Sequence, residues 1–175
     1  MSSAAPVRAA VLTVSDAGAR GERADTSGDV ICERLAGLPA TVVSRGLVPD
    51  DPEAIAAAVV EASATAALLV ITGGTGLGPR DVTPQSVAPL LDYEVPGMAE
   101  AMRGRGLAST PHAMLSRQLA GVRGGCLVLA LPGSPRAVAE CLDTVWEALP
   151  HALGLLAGER HPHGPSAVEG GGRGV

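Results

Sequence analysis

The chain is expected to fold as a three-layer α/β/α domain around a mainly parallel sheet. Three observations carry that expectation. Short, uncharged runs of mostly branched residues at 9–14, 68–71 and 126–131 suit strands buried on both faces of a sheet. Helix-start signals follow these runs, so strand and helix patterns alternate along the chain. At 175 residues, 46 % of them apolar, the chain has enough material for one domain with a sizeable core.

Each element has its own justification. Residues 9–14 read as a first strand that closes at Ser15-Asp16, and a polar loop with Gly and Arg occupies 17–24. Asp25-Thr26-Ser27-Gly28 opens a helix carrying Val30, Ile31 and Leu35. Residues 41–48 form a second strand through Val42, Val43, Leu47 and Val48. Asp51 caps the next helix and Pro52 begins it, with Ile55, Val59 and Ala62 inward. The strand at 68–71 runs into glycines at 73, 74, 76 and 78, after which Thr83 is expected to cap a helix starting at Pro84. Residues 96–102 read as a short helix and 104–111 as turn-rich. The strand at 126–131 leads to Ser134 as cap and Pro135 as first residue of a helix presenting Val138, Leu142, Val145 and Leu149 on one face. Helix resumes over 150–156 after a kink at Pro150. A flexible start at 1–7, a single domain at 8–160 and a flexible Gly-rich tail at 161–175 complete the expected organisation.

Composition narrows the chemistry. A formal charge of −5, no Phe, and single aromatic residues Trp146 and Tyr93 leave neither a basic face nor stacking platforms, which argues against nucleic acid. All 13 basic residues are Arg, so Schiff-base and lysine-adenylate mechanisms fall away. Phosphate must then be met by Arg, hydroxyls, backbone N–H groups or a metal. Cys32, Cys126 and Cys141 never form Cys-x-x-Cys and read as reduced thiols. No signal-peptide pattern and no membrane-length apolar run occur, so a cytoplasmic protein without membrane partners is expected.

The chemistry concentrates in the run TGGTGLGPRDVTP from Thr72 to Pro84. Glycines between a parallel strand and a helix let backbone N–H groups converge on an anion. Neither the Walker loop nor the G-x-G-x-x-G pattern fits this spacing. Parallel pairing would place four loops on one rim: Ser15-Asp16, Pro49-Asp50-Asp51, residues 72–81 and residues 132–135. Asp81 places a carboxylate beside the glycine cradle; of the four loops, two carry carboxylates suited to a metal such as Mg²⁺ and two carry Gly and hydroxyl groups suited to phosphate. A site for a phosphorylated ligand with a divalent metal is the expectation.

An ordered set of motifs gives this site a family likeness. TVSD at 13–16, VPD at 48–50, the run from Thr72 to Pro84, Pro96-Gly97, Leu115-Ser116-Arg117, Ala120-Gly121 and LPGSP at 131–135 resemble the MogA/MoaB proteins of molybdenum-cofactor synthesis. The likeness covers about residues 8–160 and extends to the G domain of gephyrin and of its plant counterpart. It implies molybdopterin adenylyltransferase activity: AMP passes from Mg-ATP to the terminal phosphate of molybdopterin, and pyrophosphate leaves. By the same likeness Asp50 and Asp81 are the catalytic, metal-associated carboxylates, and Gly73, Gly74, Thr75 and Gly76 meet phosphate. Ser116 lies near the pterin, while Ser15, Asp16, Gly133 and Ser134 shape the pocket. Arg117 is read either as a phosphate partner or as a structural ion pair. A homotrimer is implied, with the molybdenum-insertion enzyme of the pathway as a further partner. The sequence departs from the family at Ala130, where many relatives have Asn, at Ser134, which replaces Asn or Gln, and at Gln85, where Glu is frequent. Competing readings are a non-catalytic pterin binder of the MoaB type and a nucleotide pyrophosphatase of the CinA type. The latter would need a further domain-sized segment.

Overall fold

A computed structural model describes residues 6–158. The expected tail at 161–175 and all but Pro6 and Val7 of the 1–7 segment lie outside the described residues.

In chain order the elements are β1 (Val7–Val14), α1 (Asp16–Ala19), α2 (Thr26–Leu35), β2 (Ala40–Val48), α3 (Pro52–Ser63), β3 (Leu68–Thr72), α4 (Thr83–Val87), β4 (Tyr93–Glu94), α5 (Pro96–Leu107), β5 (Leu119–Arg123), β6 (Cys126–Leu131), α6 (Pro135–Val145) and α7 (Leu149–Leu156). The sheet order is β2-β1-β3-β6-β5-β4. The strands β2, β1, β3 and β6 run parallel, whereas β5 is antiparallel to both β6 and β4. The mainly parallel sheet is therefore borne out, with an antiparallel edge that the sequence analysis did not anticipate.

Strand alternation builds the two faces. Ala9, Val11, Leu68, Val70, Leu127 and Leu129 join Ile31, Leu35, Leu142 and Leu149 in one core, beneath α2, α6 and α7. Ala10, Leu12, Leu69, Ile71, Val128 and Ala130 pack on the other side against Ile55 and Val59 of α3 and Val87 of α4. Each fully buried Leu or Ile contributes about 1.5–3 kcal/mol relative to exposure. Because β3 and β6 are covered on both sides, their sequences are apolar at nearly every position.

Three helix starts are set by the caps that the sequence analysis expected. Asp25, Asp51 and Ser134 accept hydrogen bonds from the amides of Gly28, Ala54 and Ala137, and so cap α2, α3 and α6. Thr83 does not cap α4, contrary to expectation. Val82 holds the cap position, and the Thr83 hydroxyl donates to the Gly73 carbonyl at 2.8 Å. The α5 helix runs to Leu107, through the stretch read as turns. Its Gly106 is a packing requirement: a Cβ there would lie 2.9 Å from the Ala113 side chain in the 3₁₀ turn Pro111–Leu115. Another 3₁₀ turn, Trp146–Ala148, separates α6 from α7 near the expected kink.

Candidate active site

The four expected loops do leave the carboxyl ends of parallel strands, so β1, β2, β3 and β6 deliver them to one rim. The chain steps from β1 outward to β2 and then across to β3 on the other side, a reversal of strand order that opens a crevice between diverging loops. A cleft of about 210 Å³ lies there, lined among others by Ser15, Arg23, Asp25, Asp50, Gly74 and Asp81.

Glycine is required where the strand ends meet. Gly73 has φ of +99°, and a Cβ on it would sit 2.2 Å from the Val14 carbonyl oxygen. Gly74 has φ of +63°, and its Cβ would meet the Thr83 hydroxyl at 2.3 Å and Asp50 Oδ1 at 3.1 Å. Gly133 approaches Gly73 from the β6 side less tightly, with 3.3 Å between its Cβ position and the Gly73 Cα. The Gly73 amide is occupied by the Leu131 carbonyl. Among the described residues, the amides of Gly74, Thr75 and Gly76 donate to no protein acceptor.

Asp16 and Asp50 interlock. Each backbone amide donates to the other's carboxylate, at 2.8 Å and 3.0 Å. Arg80 reaches across from the Gly loop and holds Asp16 with two bonds, at 2.9 Å and 3.0 Å. The same pair therefore shows opposite acidities. The Arg80 guanidinium lowers the Asp16 carboxyl below its ordinary value. Burial raises Asp50, and the negative charges of Asp16 and Asp81 add to the effect, while the Asp16 amide opposes it. Asp81 Oδ2 accepts from the Gly78 amide at 2.8 Å. No group of three or more His, Cys, Asp or Glu among the described residues forms a metal cage. Of the cleft's carboxylates, Asp50 and Asp81 could share a cation only with ligand oxygens and water completing its shell.

Arg117 faces the loop itself. Its guanidinium donates to the carbonyls of Gly76 at 2.8 Å and Asp81 at 2.6 Å, and its amide donates to the Thr75 carbonyl. The structural role weighed for it describes this geometry, although its partners are carbonyls and not a carboxylate. Ser15 and Ser134 also carry structural bonds, accepting from the amides of Gly18 and Ala137. Ser116 lies on the other side of the Gly loop, with its hydroxyl 3.4 Å from Gln118 Oε1.

That other side holds a second cavity of about 180 Å³, between α5, α6 and the Pro111–Leu115 turn. Met102, Ala113, Pro132, Ala137 and Cys141 make it more apolar, with Arg103, His112, Ser116 and Glu140 as polar members. An open groove along the Gly loop joins the two. It shares Gly74, Asp81 and Gly133 with the first cleft, and His112, Ser116 and Pro132 with the second.

The sequence analysis missed the wall formed by Thr13, Arg23, Asp25, Thr26 and Ser27. Thr13 donates to Asp25 at 2.9 Å, and Ser27 donates to the Gly133 carbonyl at 2.8 Å. A usable signal existed: α2 follows β1, so its N-terminus must lie on the same rim as Ser15. Ala130, one of the departures, is buried beside Ile71 in the α3-side core and does not face the cleft.

Known proteins share this fold. The family described as a probable molybdopterin binding domain matches residues 10–151. A molybdenum cofactor biosynthesis bifunctional protein of Synechococcus elongatus is 44 % identical over 158 residues, covering 90 % of this chain and 50 % of that protein. The chain thus spans only half of that relative, and 22 % of the gephyrin of Dictyostelium discoideum, to which it is 38 % identical. A Helicobacter pylori protein named molybdopterin adenylyltransferase is 36 % identical, with 85 % of this chain and 86 % of that protein covered. The crystal structure of the molybdopterin biosynthesis enzyme MoaB from Thermus thermophilus superimposes with a TM-score of 0.81 at 50 % identity, covering 87 % of this chain and 97 % of that one. A CinA structure from Thermoplasma acidophilum shares the fold alone, at 21 % identity and a TM-score of 0.65. By sequence, fold and the loops gathered on one rim, this chain belongs to the molybdopterin binding domain family.

Proposed function

We propose that this protein is a molybdopterin adenylyltransferase, moving AMP from Mg-ATP to the terminal phosphate of molybdopterin with release of pyrophosphate. The observation that carries the proposal is the open groove along the Gly loop, which joins a cleft lined by carboxylates to a more apolar one. One substrate in each cleft would present a phosphate nucleophile to an α-phosphorus across that groove. Relatives named molybdopterin adenylyltransferase support the same reaction.

In this reading Asp50 and Asp81 hold Mg²⁺, which would offset the repulsion between two anionic reactants. The amides of Gly74, Thr75 and Gly76 are free to receive phosphate oxygens. Arg117 and Arg80 keep the loop and Asp16 in place, so the ligand meets a preorganised wall. A phosphate nucleophile is already ionised near neutral pH, so no general base is required of the protein. The molybdenum-insertion enzyme remains the proposed partner that accepts the adenylylated pterin.

The test is incubation with molybdopterin, Mg²⁺ and α-labelled ATP. Label appearing in adenylyl-molybdopterin, with pyrophosphate released in equal amount, is the expected outcome. Pterin binding without label transfer would make the protein a carrier instead.

A further inference from the structure

The carboxylate-lined cleft poses an electrostatic problem that its own residues resolve in one place. Asp25, Asp50 and Asp81 line it, yet the proposed ligand is a polyanion. A metal on Asp50 and Asp81 offsets only part of that charge, and the chain has no lysine to offer. The arginines around the rim are almost all engaged. Arg20 pairs with Glu22 through two bonds, Arg45 with Asp25 and Asp29, Arg80 with Asp16, and Arg117 with loop carbonyls. Arg23 differs. It lines the cleft, is exposed, and forms no hydrogen bond or ion pair among the described residues.

Its setting is an exposed cation on an anchored lip. The residues between α1 and α2 carry it, beside Gly21 at φ of +73°, while the following Asp25 is anchored by Thr13, Gly28 and Arg45. An unpaired guanidinium can approach phosphate without first breaking an ion pair, and its fork matches two phosphate oxygens at once.

We propose that Arg23 is a catalytic residue that binds the β- and γ-phosphates of the nucleotide, the half that leaves as pyrophosphate. This rests on the adenylyltransferase reading. In the transfer, an oxygen of the pterin phosphate forms a bond to the α-phosphorus. The bond from that phosphorus to the bridging oxygen breaks, and pyrophosphate departs with the electron pair. Arg23 neutralises charge on that departing group. No proton need be supplied by the protein.

The test is calorimetric titration of the full chain with pyrophosphate in the presence of Mg²⁺. Arg23→Gln should weaken binding about tenfold or more, as loss of a charge-assisted contact does. Arg23→Lys should recover part of it. Arg20→Gln removes a charge from the same loop, but one already paired with Glu22, and should stay within about twofold. Equal affinity of Arg23→Gln and wild type overturns the inference, as does an equal loss in Arg20→Gln, which would reduce the effect to the general field. Pyrophosphate failing to bind the wild type overturns it too. Arg23-dependent binding in a protein that makes no adenylyl-molybdopterin keeps the anion contact and overturns the transferase reading. Normal transfer by Arg23→Gln, with unchanged pyrophosphate affinity, does the reverse.

Discussion

The two sides of the Gly loop are built on different principles. On the β1 and β2 side, Asp25, Asp50 and Asp81 line a small cleft, Asp16 interlocks with Asp50, and hydrogen bonds from amides, Thr13 and arginines hold all four. On the α5 and α6 side, Met102, Ala113, Pro132 and Ala137 line a more apolar cavity beside a buried thiol. The first suits charge that must be neutralised, and the second suits a flat ligand held by contact area. The Gly loop walls the first cleft and the groove that joins the two, so changes to that wall and changes to either side should have separable consequences.

Changing the wall should have the largest effect. Gly73→Ala places a methyl 2.2 Å from the Val14 carbonyl oxygen in a backbone conformation that L residues rarely adopt. A loss of about 3 kcal/mol or more is expected, because a strained φ and a backbone clash add together. Chemical denaturation reads it directly, and a small shift would mean that the strand ends can separate cheaply.

Next comes the charged side alone. Asp81→Asn preserves an acceptor for the Gly78 amide but removes a charge. Turnover should fall about 10²-fold or more with the folded state retained, in line with lost transition-state electrostatics. Near-normal adenylylation would remove Asp81 from the metal site.

A smaller effect separates function from stability at Asp50. Its carboxyl is raised above the ordinary range by burial, so the ionised form is disfavoured in the folded protein. That cost is absent at pH values where Asp is protonated in both states. It grows as pH rises through the unfolded value and levels off above the folded one. Asp50→Asn should therefore match wild type in thermal stability below about pH 4 and exceed it at neutral pH. The gain should stay under about 1 kcal/mol, because solvent screens a half-buried group. An advantage that vanished at neutral pH would contradict the assignment.

The smallest effect lies in the apolar cavity. Burial pushes the Cys141 thiol up to about 12 and the Cys126 thiol up to about 11. Neither forms a thiolate near neutral pH, so both should resist alkylation until the protein is unfolded. Rapid modification of Cys141 in the native protein would show that the cavity opens to solvent.

The parallel half of the sheet was legible because β3 and β6 are buried on both faces, which forces continuous apolar runs. The antiparallel edge was not. β4 has two residues, and β5 contains Ala120 and Gly121, where a Cβ on Gly121 would meet the Tyr93 carbonyl oxygen at 2.8 Å. Residues 104–111 read as turn-rich, yet the buried Ala99 and Met102 anchor α5, and the helix continues through Gly104 and Gly106 to Leu107. In the site, spacing disclosed the rim loops, since parallel strands deliver their ends to one side. It could not disclose how each polar group is used. The Thr83 hydroxyl bonds a carbonyl ten residues back, Arg117 braces loop carbonyls, and Arg80 holds Asp16, all through contacts that depend on the folded loop.

The most direct test of a division of labour across the Gly loop is Asp50→Ala, with pterin affinity and chemistry measured on the same protein. Molybdopterin affinity should remain within about threefold of wild type, less than 1 kcal/mol. Adenylyl-molybdopterin should form at least about 10²-fold more slowly, because Asp50 acts on the nucleotide phosphates as charge redistributes. Equal pterin binding by wild type and variant, with neither consuming ATP in the presence of Mg²⁺, would contradict catalysis at this site and leave a pterin carrier.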